Sequence, residues 1–85
     1  MQQAENLEAL IIDFIRQEIL GTPEIDIDLD ENLFTGGQID SLGIMRLIAH
    51  LERSLEVKIP PTELVPDNFR TVRVMSNYLQ QLTAP

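Results

Sequence analysis

The sequence contains no cysteine among its 85 residues. A disulfide framework, a thiolate nucleophile and a cysteine metal site are therefore excluded, and a reducing cytoplasm is the expected compartment. The sequence also lacks any apolar run of about 18 residues and any basic segment that leads into an apolar stretch. We therefore expect neither a membrane span nor a signal peptide, and no membrane partner.

Basic residues are scarce, since six Lys and Arg stand against fourteen Asp and Glu and give a net charge of −8. The acids concentrate in residues 1–45, which hold ten of them and one base, Arg16. An acidic surface repels nucleic acid and attracts basic partners, so we expect no nucleic-acid binding and discount a helix-turn-helix DNA-binding domain. The same charge also keeps a small domain soluble, which explains many of these acids without any partner.

Apolar residues recur at steps of three and four in three segments, 5–20, 42–55 and 71–82. This spacing predicts three helices, each with one face turned to a common core. Gly21 provides a stop signal after the first helix, and Thr71 can cap the last.

A short helical turn is predicted between the second and the last of these helices. Pro60 and Pro61 precede the sequence Thr-Glu-Leu-Val, and proline is tolerated at the start of a helical turn. The length of the chain suits one domain. We therefore expect a single all-α domain over residues 5–82, with flexible tails at 1–4 and 83–85.

The long connection between the first two helices, residues 22–40, contains the segment EIDIDLD, whose alternation of apolar and acidic residues is a strand pattern. A strand needs a partner, and only Val-Lys-Ile at 57–59 could supply one. We interpret the connection as an ordered loop instead, and ordered loops of this length often carry function. Four apolar side chains are expected to pin it to the helices: Ile27, Leu29, Leu33 and Phe34.

The acids of this loop have part of the spacing of a calcium-binding EF-hand. Asp26, Asp28 and Asp30 occupy positions 1, 3 and 5 of such a loop. The match then fails, because Glu31 stands where the turn needs glycine and Gly37 stands where a bidentate glutamate is needed. We therefore predict no specific metal site.

The predicted second helix has two apolar faces. At about 100° per residue, one sector holds the residues that should face the core: Ile44, Leu47, Ile48, Leu51 and Leu55. Leu42, Met45 and Ala49 form a second stripe, bordered by Arg46 and Arg53. This stripe is either covered by the long loop or left exposed for docking, and small apolar stripes beside a polar rim are typical of docking surfaces.

Ser41 lies at the start of this helix, within GGQIDSLGIMRL, which raises the question of nucleophilic catalysis. The Gly-x-Ser-x-Gly elbow is absent because Ile39 replaces its first glycine. His50, the sole histidine, lies nine residues further along, about 13 Å in helical rise, and cannot accept the serine proton. Asp40 alone does not activate a hydroxyl. We therefore predict no catalytic residue, a helix cap at Ser41 or Asp40, and a solvated His50 on the surface.

The stretch GGQIDSLGIMRLIAHLE resembles the prosthetic-group attachment region of acyl carrier proteins, with an Asp-Ser-Leu triplet between a glycine-bearing loop and an apolar helix. DENLFTGGQIDSL is similar to the loop before the serine, LEVKIPPTEL to the turn into a short third helix, and DNFRTVRVMSNYL to the final helix. The resemblance thus extends over nearly the whole chain. It implies a four-helix bundle with a long ordered loop between helices 1 and 2 and a short third helix.

This resemblance implies that a phosphopantetheinyl transferase attaches 4′-phosphopantetheine, derived from coenzyme A, to Ser41 as a phosphodiester. The arm would then carry an acyl or aminoacyl group as a thioester, so that a chain without cysteine acquires a thiol. Asp40 matches the family acid that is associated with recognition by the transferase. A helix N-terminus also suits the anionic phosphate of the arm.

The resemblance also implies partner enzymes that load the arm and use its cargo. Leu42, Met45 and Ala49 match positions that partner enzymes contact in the family, and Arg46 lies beside them. The implied partners are an acyl- or aminoacyl-loading ligase and downstream biosynthetic enzymes. The carrier itself is expected to be a monomer.

The second helix departs from the fatty-acid carriers of the family, which typically present acids there to basic synthase surfaces. Here Gly43, Arg46, His50 and Arg53 occupy such positions, and Glu52 is the only acid inside the helix. This helix, together with VPDNFRTV, is similar to dedicated freestanding aminoacyl carriers of secondary metabolism, such as prolyl carriers, which a separate adenylating ligase loads. The alternatives are a housekeeping fatty-acid carrier and, in another class, an unmodified helical protein-interaction module.

Overall fold

The computed structural model describes residues 3–22, 24–35 and 39–83 of the chain. Within these residues the regular structure is helical, and no strand is present. The all-α fold predicted from the sequence is therefore confirmed, and the EIDIDLD segment is a loop. Four α-helices follow in chain order: α1 (Gln3–Phe14), α2 (Ser41–Leu55), α3 (Pro66–Phe69) and α4 (Val72–Thr83).

The first helix changes its winding before it ends. A π-helical turn, Ile15–Ile19, continues α1, and the amide of Leu20 donates to the carbonyl of Ile15 at 2.9 Å. Gly21 then adopts a left-handed φ of 64°, which suits glycine and directs the chain away from the helix, as its stop signal predicted.

The outer helices reach slightly beyond the bounds expected for the domain. The sequence suggested a domain over 5–82 with tails at 1–4 and 83–85. In the structure α1 begins at Gln3 and α4 ends at Thr83. The remaining tail positions, 1, 2, 84 and 85, lie outside the described residues.

One apolar core joins the three long helices. The helix α1 packs against both α4 and α2. Each apolar side chain of this size that leaves water contributes about 1.5–3 kcal/mol, so these contacts dominate the stability of a small domain. The buried core residues of the three helices and of the turn after α1 are Leu7, Ile11, Ile15, Ile44, Leu47, Ile48, Leu51, Val72, Met75 and Leu79.

The long loop is fastened to the beginning of α4. The amide of Leu33 donates to the carbonyl of Arg70 at 2.8 Å, and the amide of Arg73 donates to the carbonyl of Leu29 at 3.0 Å. The side chain of Leu33 is buried, as predicted, and Leu29 packs at the edge of the core. Because these bonds satisfy backbone groups of both the loop and the start of α4, the loop is an ordered part of the fold.

Two of the loop's apolar residues differ from the expectation. Phe34, predicted to pack the loop against the helices, is 36% exposed, and Ile39, for which no such contact was predicted, is buried. Ile39 lies next to the start of α2, so its burial fixes where that helix begins. Ile27 packs at the edge of the core, as expected.

The segment between α2 and α4 holds two short helical turns, whereas the sequence predicted one. A 3₁₀ turn, Pro61–Glu63, precedes α3, and both turns begin with a proline, Pro61 and Pro66. Proline suits a first helical position because the amide hydrogen that it lacks has no partner there. Phe69, at the end of α3, is buried in the core and anchors this segment.

Thr71 caps α4, as its position predicted. Its hydroxyl oxygen accepts a hydrogen bond from the amide of Val74 at 3.0 Å. This bond satisfies one of the free amides in the first turn of the helix.

Candidate functional site

The first turn of α2 is capped by Asp40. Its backbone is extended, and its Oδ1 accepts a hydrogen bond from the amide of Gly43 at 2.8 Å. The sequence had left the cap open between Asp40 and Ser41, and the structure assigns it to Asp40. Ser41 is the first helical residue, it is exposed, and no residue that the structure describes forms a hydrogen bond with its hydroxyl. The serine side chain is therefore free to meet another molecule.

Gly43 allows two other segments to lie against this turn. A Cβ added to Gly43 would stand 3.3 Å from Ile39 Cγ2, and 3.4 Å from both Asp40 Oδ1 and Ile19 Cγ2. A side chain at this position would push against the loop, the capping carboxylate and the π-helical turn together. Gly43 thus belongs to the packing that positions Ser41, a role that the sequence analysis did not identify.

An apolar groove of about 200 Å³ opens beside Ser41. Its floor is formed by α2 and by the buried ring of Phe69, and Phe34 of the long loop contributes to its rim. The residues that line it besides these two are Ser41, Ile44, Met45, Ile48, Leu64, Val65 and Pro66. The only hydroxyl in this lining is that of Ser41, so an apolar group attached to Ser41 has an apolar surface within reach.

Tyr78 ties the wall of this groove to α4. Its hydroxyl donates a hydrogen bond to Glu63 Oε1, and its ring meets the ring of Phe69 edge-on at 5.7 Å between centroids. Burial raises the pKa of Tyr78 to about 12, and the bond to Glu63 adds to this effect. The phenol is therefore neutral at physiological pH and acts as a donor that holds the 3₁₀ turn in place.

The second apolar stripe of α2 faces solvent. Leu42 is 72% exposed and Met45 is 50% exposed, and Ala49, Arg46 and Arg53 are exposed as well. The long loop therefore does not cover the stripe, which was one of the two possibilities open from the sequence. On the opposite side of α2 the predicted core face is buried, with Leu55 partly buried at its end. We call Leu42, Met45 and Ala49 the α2 stripe from here on.

His50 does not lie free on the surface, as the sequence had suggested. It is half-buried, and its ring stacks on the ring of Phe14 with 4.2 Å between centroids. Its Nε2 lies 3.4 Å from Ser54 Oγ. The sequence pattern could not reveal this contact, because it depends on how α1 packs against α2. His50 is thus a packing residue and lies nine positions from Ser41 along the helix, about 13 Å in rise.

Asp26, Asp28 and Asp30 of the long loop interact with other groups of the protein. Asp30 accepts a hydrogen bond from Arg73 Nε at 2.7 Å, which lowers the pKa of Asp30. Asp28 Oδ1 accepts from the amide of Asp30 at 2.9 Å, and Asp26 lies 3.9 Å from Arg16. In the described part of the chain, no group of three or more acids and histidines is placed to hold a metal ion.

A family comparison identifies the chain. The family described as "Phosphopantetheine attachment site" matches residues 11–79, which include the last turn of α1, all of α2 and α3, and most of α4. Among curated proteins, the D-alanyl carrier protein of Lactococcus lactis subsp. cremoris strain MG1363 is 34% identical over 73 residues, which cover 86% of this chain and 91% of that protein.

Solved structures have the same fold. The apo form of KstB-PCP superposes with a TM-score of 0.74 at 30% identity and covers 99% of this chain and 90% of that one. A Bradyrhizobium japonicum glycine:[carrier protein] ligase complexed with glycylated carrier protein includes a chain that superposes with a TM-score of 0.67 at 22% identity, over 87% of this chain and 95% of that one. The four-helix arrangement expected from the resemblance is therefore confirmed.

Across the described residues, no helix is both long and apolar enough to cross a bilayer. The features of the first turn of α2 fit a covalent prosthetic group, because an exposed hydroxyl stands at a helix N-terminus and beside an apolar groove. Together with the family match over most of its length, this shows that the chain belongs to the phosphopantetheine attachment family and is a carrier protein that bears 4′-phosphopantetheine covalently.

Proposed function

We propose that Ser41 is the residue to which 4′-phosphopantetheine is attached. The observation that carries the proposal is that Asp40 caps α2, which leaves the hydroxyl of the exposed Ser41 without a described partner. The free amides and the dipole at the N-terminus of α2 favour the anionic phosphate of the linkage. When bound, the group supplies a thiol that holds an acyl or aminoacyl cargo as a thioester, and the chain has no cysteine of its own.

Asp40 has two roles in this proposal. Its carboxylate fixes the first turn through Gly43, and it is exposed, so that a phosphopantetheinyl transferase can recognise it. The hydroxyl to be modified is thereby presented on a rigid helix end, and rigid elements position reacting groups more precisely than loops do.

We propose further that the chain is a dedicated, freestanding aminoacyl carrier, loaded by a separate adenylating ligase. Two findings support this subclass: the similarity to a D-alanyl carrier protein, and the absence of exposed acids in the first turn of α2. Partner enzymes would contact the α2 stripe together with Arg46. The alternative is a housekeeping fatty-acid carrier, and the identity of the attached group, aminoacyl or fatty acyl, distinguishes the two subclasses.

The chain itself catalyses no step in this proposal. His50, the sole imidazole, is stacked on Phe14, and the acid beside Ser41 is engaged with the amide of Gly43. General-base activation of the serine therefore has to come from the transferase. The monomeric state and the cytoplasmic location expected from the sequence stay predictions.

Intact-protein mass spectrometry tests the attachment. The apo protein is incubated with coenzyme A and a broad-specificity phosphopantetheinyl transferase, and we expect a gain of one phosphopantetheine group that Ser41→Ala abolishes. Ser54→Ala is the matched control, because Ser54 is an exposed serine on the same helix. It should be modified as the wild type is.

Two results would contradict this proposal. A wild-type chain that gains no mass would favour the unmodified interaction module, and a gain that persists in Ser41→Ala would place the group elsewhere. Protein isolated from its native host then shows the cargo. An aminoacyl mass supports the dedicated carrier, and a fatty-acyl mass supports the housekeeping alternative.

A further inference from the structure

The arginines of the chain divide into two groups by their partners. Of five arginines, three form ion pairs within the protein: Arg16 with Asp26, Arg70 with Asp67, and Arg73 with Asp30. The other two, Arg46 and Arg53, form no ion pair with any residue whose side chain the structure describes. Both are exposed and both lie on α2.

Arg46 and Arg53 flank the α2 stripe along the helix. They are seven residues apart, so they lie about 20° from each other around the axis and about 10 Å apart along it. Leu42 and Ala49 have the same spacing, and each arginine follows one of them by four residues. The exposed face of α2 is thus an apolar strip with two guanidinium groups along one edge.

No acid of α2 neutralises this edge. Glu52, the only acid inside the helix, accepts a hydrogen bond from the amide of Ile59 at 2.8 Å through its Oε2 and is half-buried. Glu56, three residues after Arg53, ends the helix with a left-handed φ of 55° and does not pair with that arginine. The exposed face therefore carries a local positive charge on a protein whose net charge is −8.

This arrangement restricts which surface can cover the stripe. Any partner that buries Met45 and Ala49 brings its own surface within reach of Arg46 and Arg53. A guanidinium that loses water without gaining an acceptor is costly, and a basic rim opposite it adds repulsion. A carboxylate opposite each guanidinium provides charge-assisted, bidentate hydrogen bonds instead.

We propose that the loading enzyme of this carrier docks on the α2 stripe through an apolar socket whose rim carries carboxylates about 10 Å apart, placed to pair with Arg46 and Arg53. The inference rests on the carrier function proposed above and names the chemistry of the partner at that site. The net negative charge of the chain suggests a basic partner, whereas this proposal predicts an acidic one. The reason is that the local charge of the docking face, and not the net charge, meets the partner. Pairing of this kind steers encounter and is weakened by salt.

Loading kinetics test the proposal on the phosphopantetheinylated protein. The rate of ATP-dependent acylation in native-host extract is compared for wild type, Arg46→Glu/Arg53→Glu and Arg46→Lys/Arg53→Lys. At low ionic strength we expect the glutamate variant to be loaded about tenfold or more slowly and the lysine variant to keep most of the rate. Lys58→Glu, which makes the same charge reversal at one exposed residue outside α2, is the control and should stay within about twofold of wild type.

A second measurement needs no ligase. Two synthetic amphipathic helices with one common apolar face, one with two glutamates seven residues apart and one with two lysines there, are titrated into the ¹⁵N-labelled protein. We expect only the glutamate peptide to shift the amides of residues 42–53, and expect Arg46→Gln/Arg53→Gln to remove that shift. Arg46 and Arg53 are both exposed, so circular dichroism should show the same helix content in this double variant as in wild type.

Three outcomes would overturn the inference. Equal or stronger binding of the lysine peptide, or unchanged or faster loading of the glutamate variant, would mean that the partner is not acidic. The arginines could instead bind the phosphate of coenzyme A. The glutamate variant would then be modified slowly at Ser41, and the wild-type protein would bind the glutamate and lysine peptides equally. Failure of wild type to gain mass from coenzyme A would refute the proposed function, and the titration would still decide the chemistry of the stripe.

Discussion

At the scale of single residues, Asp40 caps α2 and Ser41 presents an exposed hydroxyl, two roles that the sequence did not assign to one residue or the other. Either side chain could have capped α2, since both residue types are good caps. The carboxylate of Asp40 accepts from the amide of Gly43, so Ser41 is not the cap, and its side chain is exposed. This arrangement suits the proposed modification of Ser41, because the modification breaks no hydrogen bond between its side chain and a described residue.

Two substitutions of Asp40 distinguish its role as helix cap from the role of its negative charge. We expect Asp40→Ala to lower the free energy of unfolding by about 1 kcal/mol, because the amide of Gly43 loses its partner. Asp40→Asn keeps a capping oxygen and should stay close to wild type in urea unfolding. If the transferase recognises the charge, both variants are modified slowly. Normal modification of Asp40→Asn would show that the cap is all the transferase requires.

Met45 should matter for partners and not for the fold. It is 50% exposed on the α2 stripe, so we expect Met45→Glu to change the free energy of unfolding by no more than about 0.5 kcal/mol. Loading of the arm should fall, because a carboxylate replaces the apolar contact that a partner covers.

Leu47→Ala is the matched control for Met45→Glu on the same helix. Leu47 is fully buried, and its truncation should cost about 2–5 kcal/mol in urea unfolding. Loss of stability in Met45→Glu on the scale of Leu47→Ala would place Met45 in the core.

At the scale of elements, the sequence predicted the long helices better than the connections. The three long helices follow from apolar spacing, because each turn of a helix is encoded by neighbours within four residues. In the segment before α4, the residue pattern predicted one turn at Pro61, and the short third helix, α3, was expected from the family resemblance alone. Its four residues are too few for a periodic pattern, and its anchor, Phe69, is recognisable only when the core is assembled.

The bond between Tyr78 and Glu63 gives this segment a dependence on pH. The pKa of Tyr78 is raised from its ordinary value of 10 to about 12, so the folded protein holds the phenolic proton more tightly than the unfolded chain does. The stability from this group is present below pH 10 and is lost as the pH rises towards 12. Tyr78 is the sole tyrosine, so absorbance of the phenolate reports its titration directly.

Tyr78→Phe isolates this contribution. We expect the variant to lose about 1 kcal/mol at neutral pH through the missing hydrogen bond, and to lack the wild-type decline of stability between pH 10 and 12 that comes from the tyrosine. Urea unfolding of both proteins along a pH series measures the difference, in which the contributions common to both proteins cancel. A phenol that titrates near pH 10 in the folded protein would contradict the expectation.

At the scale of the whole molecule, charge is arranged in two ways. Acids of the long loop engage Arg16 and Arg73, and the pair between Asp30 and Arg73 adds to the backbone bonds that fasten the loop to α4. The arginines of α2 lack such pairs within the described side chains. The net charge is therefore informative about solubility. The charge that a surface presents to a partner depends instead on which side chains are already paired within the protein.

The sequence by itself determined the helical class, the absence of a native thiol, the two faces of α2 and the resemblance carried by its Asp-Ser-Leu triplet. These features are local, since they depend on residue types and on spacing within a few turns. The tertiary structure decided that Asp40 is the cap, that His50 stacks on Phe14, and that the α2 stripe is uncovered. These features depend on where α1, the long loop and α4 come to lie around α2, and that placement is set by packing between residues far apart in the chain.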